Sequence, residues 1–76
     1  MKNSKEARYI AAKAAAKEFF NCNYVIYDLE KGDVFRFPKL MHLFVYSGRG
    51  WYKPLENAKR SHRVGIFTAV EKVTGN

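Results

Sequence analysis

The pattern of hydrophobic and polar positions changes once along this chain, close to residue 21. Before that point alanine occupies six positions of a ten-residue window, and charged residues interrupt the apolar ones at a helical spacing. The pattern predicts a helix over residues 3–20 with Asn3 as its N-cap, because alanine is the best helix former and asparagine is a favoured cap. At about 100° per residue, one stripe of this helix collects Ala7, Ile10, Ala11, Ala14 and Ala15. We expect the helix to dock through this alanine stripe.

After residue 23 the chain is rich in aromatic and β-branched residues separated by turn signals, which is typical of short strands. The strand candidates are residues 24–29, 34–37, 40–46, 51–55 and 63–73. The glycines in Ser47-Gly48-Arg49-Gly50 predict a tight hairpin turn between two of them. The last segment is ambiguous, since its β-branched residues favour a strand while residues 68–73 also fit a short helix; we expect a strand.

These elements predict one α+β domain over residues 1–76. The N-terminal helix is expected to pack on a small, strongly bent antiparallel sheet, or an open barrel, of four to five strands. The strands are expected to follow one another as a β meander over residues 24–73.

The charge of the chain is concentrated in the strand region. Fourteen Lys and Arg residues stand against seven Asp and Glu, giving a formal net charge of +7. Residues 31–63 hold eight of the basic and two of the acidic side chains, a net charge of +6. Such an excess favours polyanionic or acidic partners, although it is also compatible with a role in solubility alone.

Aromatic residues alternate with these cations. Proteins that bind single-stranded nucleic acid need both, because the bases stack on aromatic rings and the cations contact the phosphates. The predicted binding residues are Arg36, Arg49, Trp51, Tyr52, Lys53, Lys59, Arg60, His62 and Arg63. For the aromatic members, packing in the core is the alternative. The pattern predicts a small basic binding module for RNA or DNA.

Enzymatic and metal chemistry find little support. Cys22, His42 and His62 are the only soft-metal ligands, and no CxxC or HxxxH spacing joins them. We therefore predict no metal, no cofactor and no catalysis, with Cys22 as a buried structural thiol. Asp28, Glu30 and Asp33 are expected to lie in a solvated turn. No stretch of about 20 apolar residues predicts a membrane span, and a single free cysteine fits a cytoplasmic protein.

Three segments carry a resemblance to a known group of proteins. Leu29 to Pro38, followed by Val45-Tyr46-Ser47-Gly48 and Gly50-Trp51-Tyr52, resembles the small SH3-like β-barrel modules of bacteriophage and mobile-element proteins. The resemblance covers about a third of the chain, and such modules share no single activity. It implies an alternative function, in which the same basic surface binds an acidic patch of a host enzyme or defence complex and modulates or inhibits it. The sequence leaves the nucleic-acid and protein partners both open.

Overall fold

A computed structural model of the protein describes residues 4–57 and 59–74, in which one helix precedes a six-stranded antiparallel sheet. The helix α1 spans Ser4–Phe20, and a single 3-10 turn spans Ile26–Asp28. The strands are β1 (Tyr24–Val25), β2 (Val34–Arg36), β3 (Phe44–Gly48), β4 (Trp51–Pro54), β5 (His62–Arg63) and β6 (Ala69–Thr74). The α+β class is confirmed, with an open sheet that does not close into a barrel. The predicted cap Asn3 lies outside the described residues.

The order of the strands differs from a simple meander. Strands β2 to β5 follow one another as predicted, but β6 inserts between β1 and β2, giving the order β1-β6-β2-β3-β4-β5. The predicted meander over residues 24–73 was therefore wrong in the placement of β6, which separates β1 from β2. The sheet also has six strands instead of the predicted four to five. Local hydrophobic patterns do not encode this pairing, because the partners of β6 lie far away in sequence.

The bounds of several predicted strands also change, and the segment 40–46 is a strand only from Phe44 onward, in β3. The segment 24–29 is extended only as far as Val25, because Asp28 accepts a hydrogen bond from the Val25 N–H at 2.9 Å and the chain turns there. The last strand begins at Ala69 rather than at residue 63, and residues 64–68 form a connection in which the Ile66 and Thr68 carbonyls accept the N–H groups of Tyr27 and Ile26. Residues 69–74 are a strand, which confirms the prediction of strand over helix.

The sheet buries apolar side chains on both of its faces. On the inner face lies an aromatic cluster, in which fully buried Phe35 contacts the rings of Phe37, Phe44, Tyr46 and Tyr52 at centroid distances of 5.5–6.5 Å. The 3-10 turn and residues 64–66 pack against this cluster from below. On the outer face, the helix covers a second, smaller cluster around Val25 and Ala69.

The helix docks through a different face from the predicted alanine stripe. Its contacts with the second cluster come from Tyr9, Ala12 and Ala16, and Ala16 is only 2% exposed. Ala7, Ala11 and Ala14 are exposed, and Ile10 is 59% exposed. The stripe was wrong because alanines occupy nearly every side of this helix, so they give little contrast between faces. The single large ring of Tyr9 decides which side docks.

Asp28 connects the helix to the 3-10 turn. Its carboxylate accepts hydrogen bonds from the Tyr9 hydroxyl, from Lys13 Nζ at 2.9 Å and from the Val25 N–H. Burial opposes the ionisation of this carboxyl, but the three donors outweigh it and hold the pKa of Asp28 below its usual value. The expected solvated turn was therefore wrong for Asp28, and also for buried Asp33, which accepts the Glu30 N–H at 2.8 Å.

The position of the helix leaves one edge of the sheet free. Helix α1 contacts β1 and β6, at the edge opposite to β4 and β5. Within the described residues, neither helix is long and apolar enough to cross a lipid bilayer. The outer face of the β3–β4 hairpin and β5 consequently lies outside the contacts that the helix makes with β1 and β6.

Candidate nucleic-acid interface

The turn between β3 and β4 is tight, and hydrogen bonds to Tyr46 and Val64 hold it in place. Gly48, Arg49 and Gly50 have φ angles of 101°, 56° and 87°, which is the left-handed region that glycine favours. The Gly50 N–H donates to the Tyr46 hydroxyl at 2.9 Å, and its carbonyl accepts the Val64 N–H at 2.9 Å. A Cβ at Gly50 would lie 2.8 Å from the Val64 carbonyl oxygen, so only glycine allows this approach.

Trp51 and Arg63 are direct neighbours across β4 and β5. The guanidinium carbon of Arg63 lies 5.8 Å from the centre of the Trp51 ring, a cation–π arrangement, and Trp51 is 42% exposed. Their side chains point to the outer face, because Trp51 precedes Tyr52, whose ring belongs to the inner cluster. An accessible indole therefore stands beside a positive charge.

An open groove of about 460 Å³ lies next to this pair. It is lined by Arg49, Arg63, Val64, Gly65 and Ile66. None of these lining residues is acidic, and neither arginine forms an ion pair within residues 4–57 and 59–74. Two guanidinium groups without a carboxylate partner can donate charge-assisted hydrogen bonds to phosphate oxygens. We call Arg49, Trp51, Lys53 and Arg63 the hairpin surface.

Lys53 belongs to this surface, whereas Tyr52 and His62 face the other way. Lys53 lies two residues after Trp51 on β4 and so shares its face. The centre of the Tyr52 ring lies 5.0 Å from that of Phe44, 5.4 Å from that of Phe37 and 5.5 Å from that of His62. The ring of Tyr52 is thus used in packing, which was the alternative role considered for the aromatic residues.

The three remaining predicted residues lie away from the hairpin surface. Arg36 on β2 donates from Nε to Glu71 Oε1 at 2.7 Å, so that part of its charge is neutralised. Lys59 and Arg60 are exposed in the loop after β4, at the other end of that strand from Arg49. The structure therefore brings together Arg49, Trp51, Lys53 and Arg63 but does not bring these three residues to the same place.

The sequence interpretation missed residues 64–66 as part of the groove, because it placed them inside a strand. Gly65 was the available signal, since a glycine within a strand pattern often marks a break or a close approach. Its carbonyl accepts the Thr68 N–H at 3.1 Å, which closes the turn that leads to β6.

The described part of the chain contains no cluster of metal-ligating side chains. There, no three His, Cys, Asp or Glu side chains stand close enough to hold a metal ion. Cys22 is buried beside Ala16 and Val25, as predicted, and burial together with the negative charge of Glu71 raises the pKa of its thiol. A thiol in this environment is a weak nucleophile.

Comparison of the chain with models of protein families, with curated proteins and with solved structures gives no match. The resemblance to SH3-like phage modules therefore stays a prediction.

Proposed function

We propose that this protein is a small basic, non-enzymatic module that binds single-stranded nucleic acid, RNA or DNA, through the hairpin surface. The observation that carries the proposal is the Arg63 guanidinium over the half-exposed Trp51 ring, beside a groove lined by Arg49 and without an acidic residue. The exposed Trp51 ring is thus in contact with one of the two arginines that line this groove.

The hairpin surface supplies both kinds of contact that a single strand needs. A base can stack on the exposed part of Trp51, and every base offers such a face, so this contact is tolerant of sequence. Arg63 lies over the ring, Arg49 lines the same groove as Arg63, and Lys53 is on the same strand face as Trp51, so these cations can contact the phosphates near the stacked base. The positive charge of the chain, +7, adds attraction at long range.

Binding of labelled oligonucleotides over a series of salt concentrations tests this proposal. With three phosphates neutralised by Arg49, Lys53 and Arg63, log K should fall against log salt with a slope of about −2, since each contact on a single strand contributes about −0.7. Fluorescence anisotropy with oligo-dT and oligo-U of about 12 nucleotides, within the usual site sizes, measures the slope for DNA and RNA separately.

Two variants separate the charge from the ring. Arg63→Gln should reduce the slope by about 0.7. Trp51→Ala should weaken binding by about 1–3 kcal/mol through lost stacking while changing the slope little. Lys17→Gln is the matched control, because it removes the same charge from the exposed end of the helix at the opposite edge of the sheet. It should leave the binding nearly unchanged.

Two results would contradict the proposal. One is that the folded wild type does not bind either oligonucleotide at low salt, which would leave an acidic protein surface as the partner. The other is that Lys17→Gln changes the slope as much as Arg63→Gln, which would mean that net charge rather than the hairpin surface governs binding. Circular dichroism of each variant verifies that it is folded.

A further inference from the structure

The two arginines of the hairpin surface converge on one point of the fold. Arg49 precedes Gly50, Arg63 precedes Val64, and the Val64 N–H donates to the Gly50 carbonyl at 2.9 Å. A Cβ at Gly50 would lie 3.9 Å from Arg63 Cγ, so the side chain of Arg63 runs alongside the turn that carries Arg49. Both arginines line the same groove of about 460 Å³, together with residues 64–66, and we call it the arginine groove.

The arginine groove has two positive charges and no acidic side chain among its lining residues. Its other members are Val64, Gly65 and Ile66, none of which can ionise. An arginine side chain keeps its charge in proteins, so both positive charges persist. Two like charges held close together repel each other. A bound anion relieves this repulsion most completely when it carries two negative charges itself.

Phosphates inside a nucleic-acid strand and at its end differ in charge. An internal phosphodiester carries one negative charge, whereas a terminal phosphate monoester carries about −1.5 to −2 at pH 7 and offers three strong acceptor oxygens. Each arginine presents its N–H donors in a fork that matches two oxygens of one phosphate. The charge and the donors of the arginine groove therefore match a terminal phosphate better than an internal one.

We infer that the arginine groove selects the terminal phosphate of a single strand, with a nearby base stacked on Trp51. This selectivity rests on the proposed binding of single-stranded nucleic acid and narrows its ligand to strands that end in a phosphate monoester. Arg63 lines the groove and also lies 5.8 Å from the centre of the Trp51 ring, so a phosphate bound there is close to the stacked base. On a strand without a terminal phosphate, Arg49 and Arg63 contact separate diesters, and binding is weaker.

Three forms of one labelled oligo-dT of about 12 nucleotides provide the test. The first ends in hydroxyl groups, the second carries a terminal phosphate monoester, and the third carries the same phosphate blocked as its methyl ester, which leaves it one negative charge. The phosphate is placed at the 5′ end in one series and at the 3′ end in another, with the fluorescent label at the opposite end. Anisotropy at constant salt measures each affinity.

The monoester should bind about tenfold more tightly than the hydroxyl form in at least one series, as expected for one additional charge-assisted hydrogen bond. The methyl ester should lose most of this preference, because it keeps the phosphate group but not the second charge.

Variants locate the preference in the arginine groove. Arg49→Gln and Arg63→Gln should each remove most of the preference for the monoester. Lys53→Gln is the matched control, because Lys53 shares the strand face of Trp51 but is not among the residues that line the groove. It removes one positive charge and should weaken the binding of all three forms by the same factor, which leaves the preference unchanged.

Competition with thymidine 5′-monophosphate distinguishes a strand end from a free nucleotide. The mononucleotide has the same monoester but no further phosphates for Lys53 to contact. It should displace the labelled monoester only at concentrations far above those of the unlabelled phosphorylated oligonucleotide. Equal potency would assign the arginine groove to free nucleotides and would overturn the selectivity for strand ends.

Three other results would also overturn this selectivity. They are equal affinity for the hydroxyl and monoester forms in both series, a methyl ester that binds as tightly as the monoester, and a preference that Lys53→Gln reduces as much as Arg49→Gln. Circular dichroism verifies that each variant is folded. Equal binding of all three forms contradicts only the selectivity for the terminal phosphate, whereas a failure of every form to bind at low salt contradicts the proposed function as well.

Discussion

The Asp28 side chain connects three elements of the fold, namely the helix, β1 and the 3-10 turn. It receives hydrogen bonds from Tyr9 and Lys13 on the helix and from the Val25 backbone on β1. The Asp28 carboxylate in turn raises the pKa of the Tyr9 hydroxyl. Burial lowers the pKa of Lys13, but the hydrogen bond to Asp28 and the charge of Asp28 help to outweigh it, so the pKa of Lys13 is also raised. One carboxylate thus determines how the helix is held against the 3-10 turn.

Asp28→Asn should lower the free energy of unfolding by about 2 kcal/mol at neutral pH, because hydrogen bonds to a charged group contribute about 1.5–3 kcal/mol. The pKa of this carboxyl is lower in the folded than in the unfolded chain. Its contribution is therefore complete above the ordinary Asp pKa of about 3.9 and is lost as the pH falls through the lower native value. Urea denaturation across the pH range should show that the difference in free energy of unfolding between wild type and variant disappears in acid.

Glu30→Gln is the control for that measurement, since Glu30 is exposed only two residues away. It should have little effect at any pH. A gap between wild type and Asp28→Asn that persists unchanged into strong acid would show that the carboxylate charge is not what stabilises the contact.

The helix shows how the docking of an element depends on a few large side chains. Tyr9, Ala12 and Ala16 follow one another at intervals of three and four residues, so they form one face. Three of the alanines on the opposite side, at positions 7, 11 and 14, have the same helix propensity but no partner in the described structure. Propensity therefore accounts for the presence of the helix, and the ring of Tyr9 accounts for its rotation.

A pair of lysine substitutions tests this orientation. Ala16→Lys should cost about 3–5 kcal/mol, as an uncompensated buried charge does, which is a large part of the about 4–11 kcal/mol expected for a chain of this length. Ala14→Lys should stay within about 0.5 kcal/mol, as is usual for an exposed site. Thermal melts followed by circular dichroism compare the two. Equal destabilisation would mean that the helix docks through both sides.

The elements differ in how far the sequence could predict them. The helix and the β3–β4 hairpin depend on local signals, namely alanine content and the Gly48-Arg49-Gly50 turn, and both were predicted. The 3-10 turn was not, because its cause is the Asp28 side chain rather than a hydrophobic pattern. In the candidate site, Arg49, Trp51 and Arg63 were predicted. The sequence did not reveal that Lys59 and Arg60 lie apart from them, because this depends on the direction of β4, which carries the loop with these residues to the opposite end of the strand.

Across the whole molecule, burial is uneven from one edge of the sheet to the other. Val70 on β6 and Phe35 on β2 are fully buried, and β6 has a paired strand on each side. Strand β5 pairs on one side only, and both of its residues are exposed. The half of the sheet beneath the helix should therefore be the most stable part, while the hairpin surface lies in the less protected half.

Native-state hydrogen exchange measures this difference. The amides of β2 and β6 should exchange only through global unfolding, and those of β5 should exchange through local opening with a lower free energy. Added denaturant should accelerate the first group strongly and the second group weakly. Greater protection in β4 and β5 than in β6 would contradict this distribution of stability.

The insertion of β6 between β1 and β2 has a consequence for the order of events during synthesis. The N-terminal helix and β1 leave the ribosome first, yet they pack on Ala69 and Val70, which are translated about fifty residues later. Until then the early segments lack their main partner, and residues such as Val25 and Phe35 remain accessible to chaperones or to aggregation. Only local hairpins such as β3–β4 can form on the nascent chain. Emergence of β6, rather than growth of the helix, is then the step that completes this sheet.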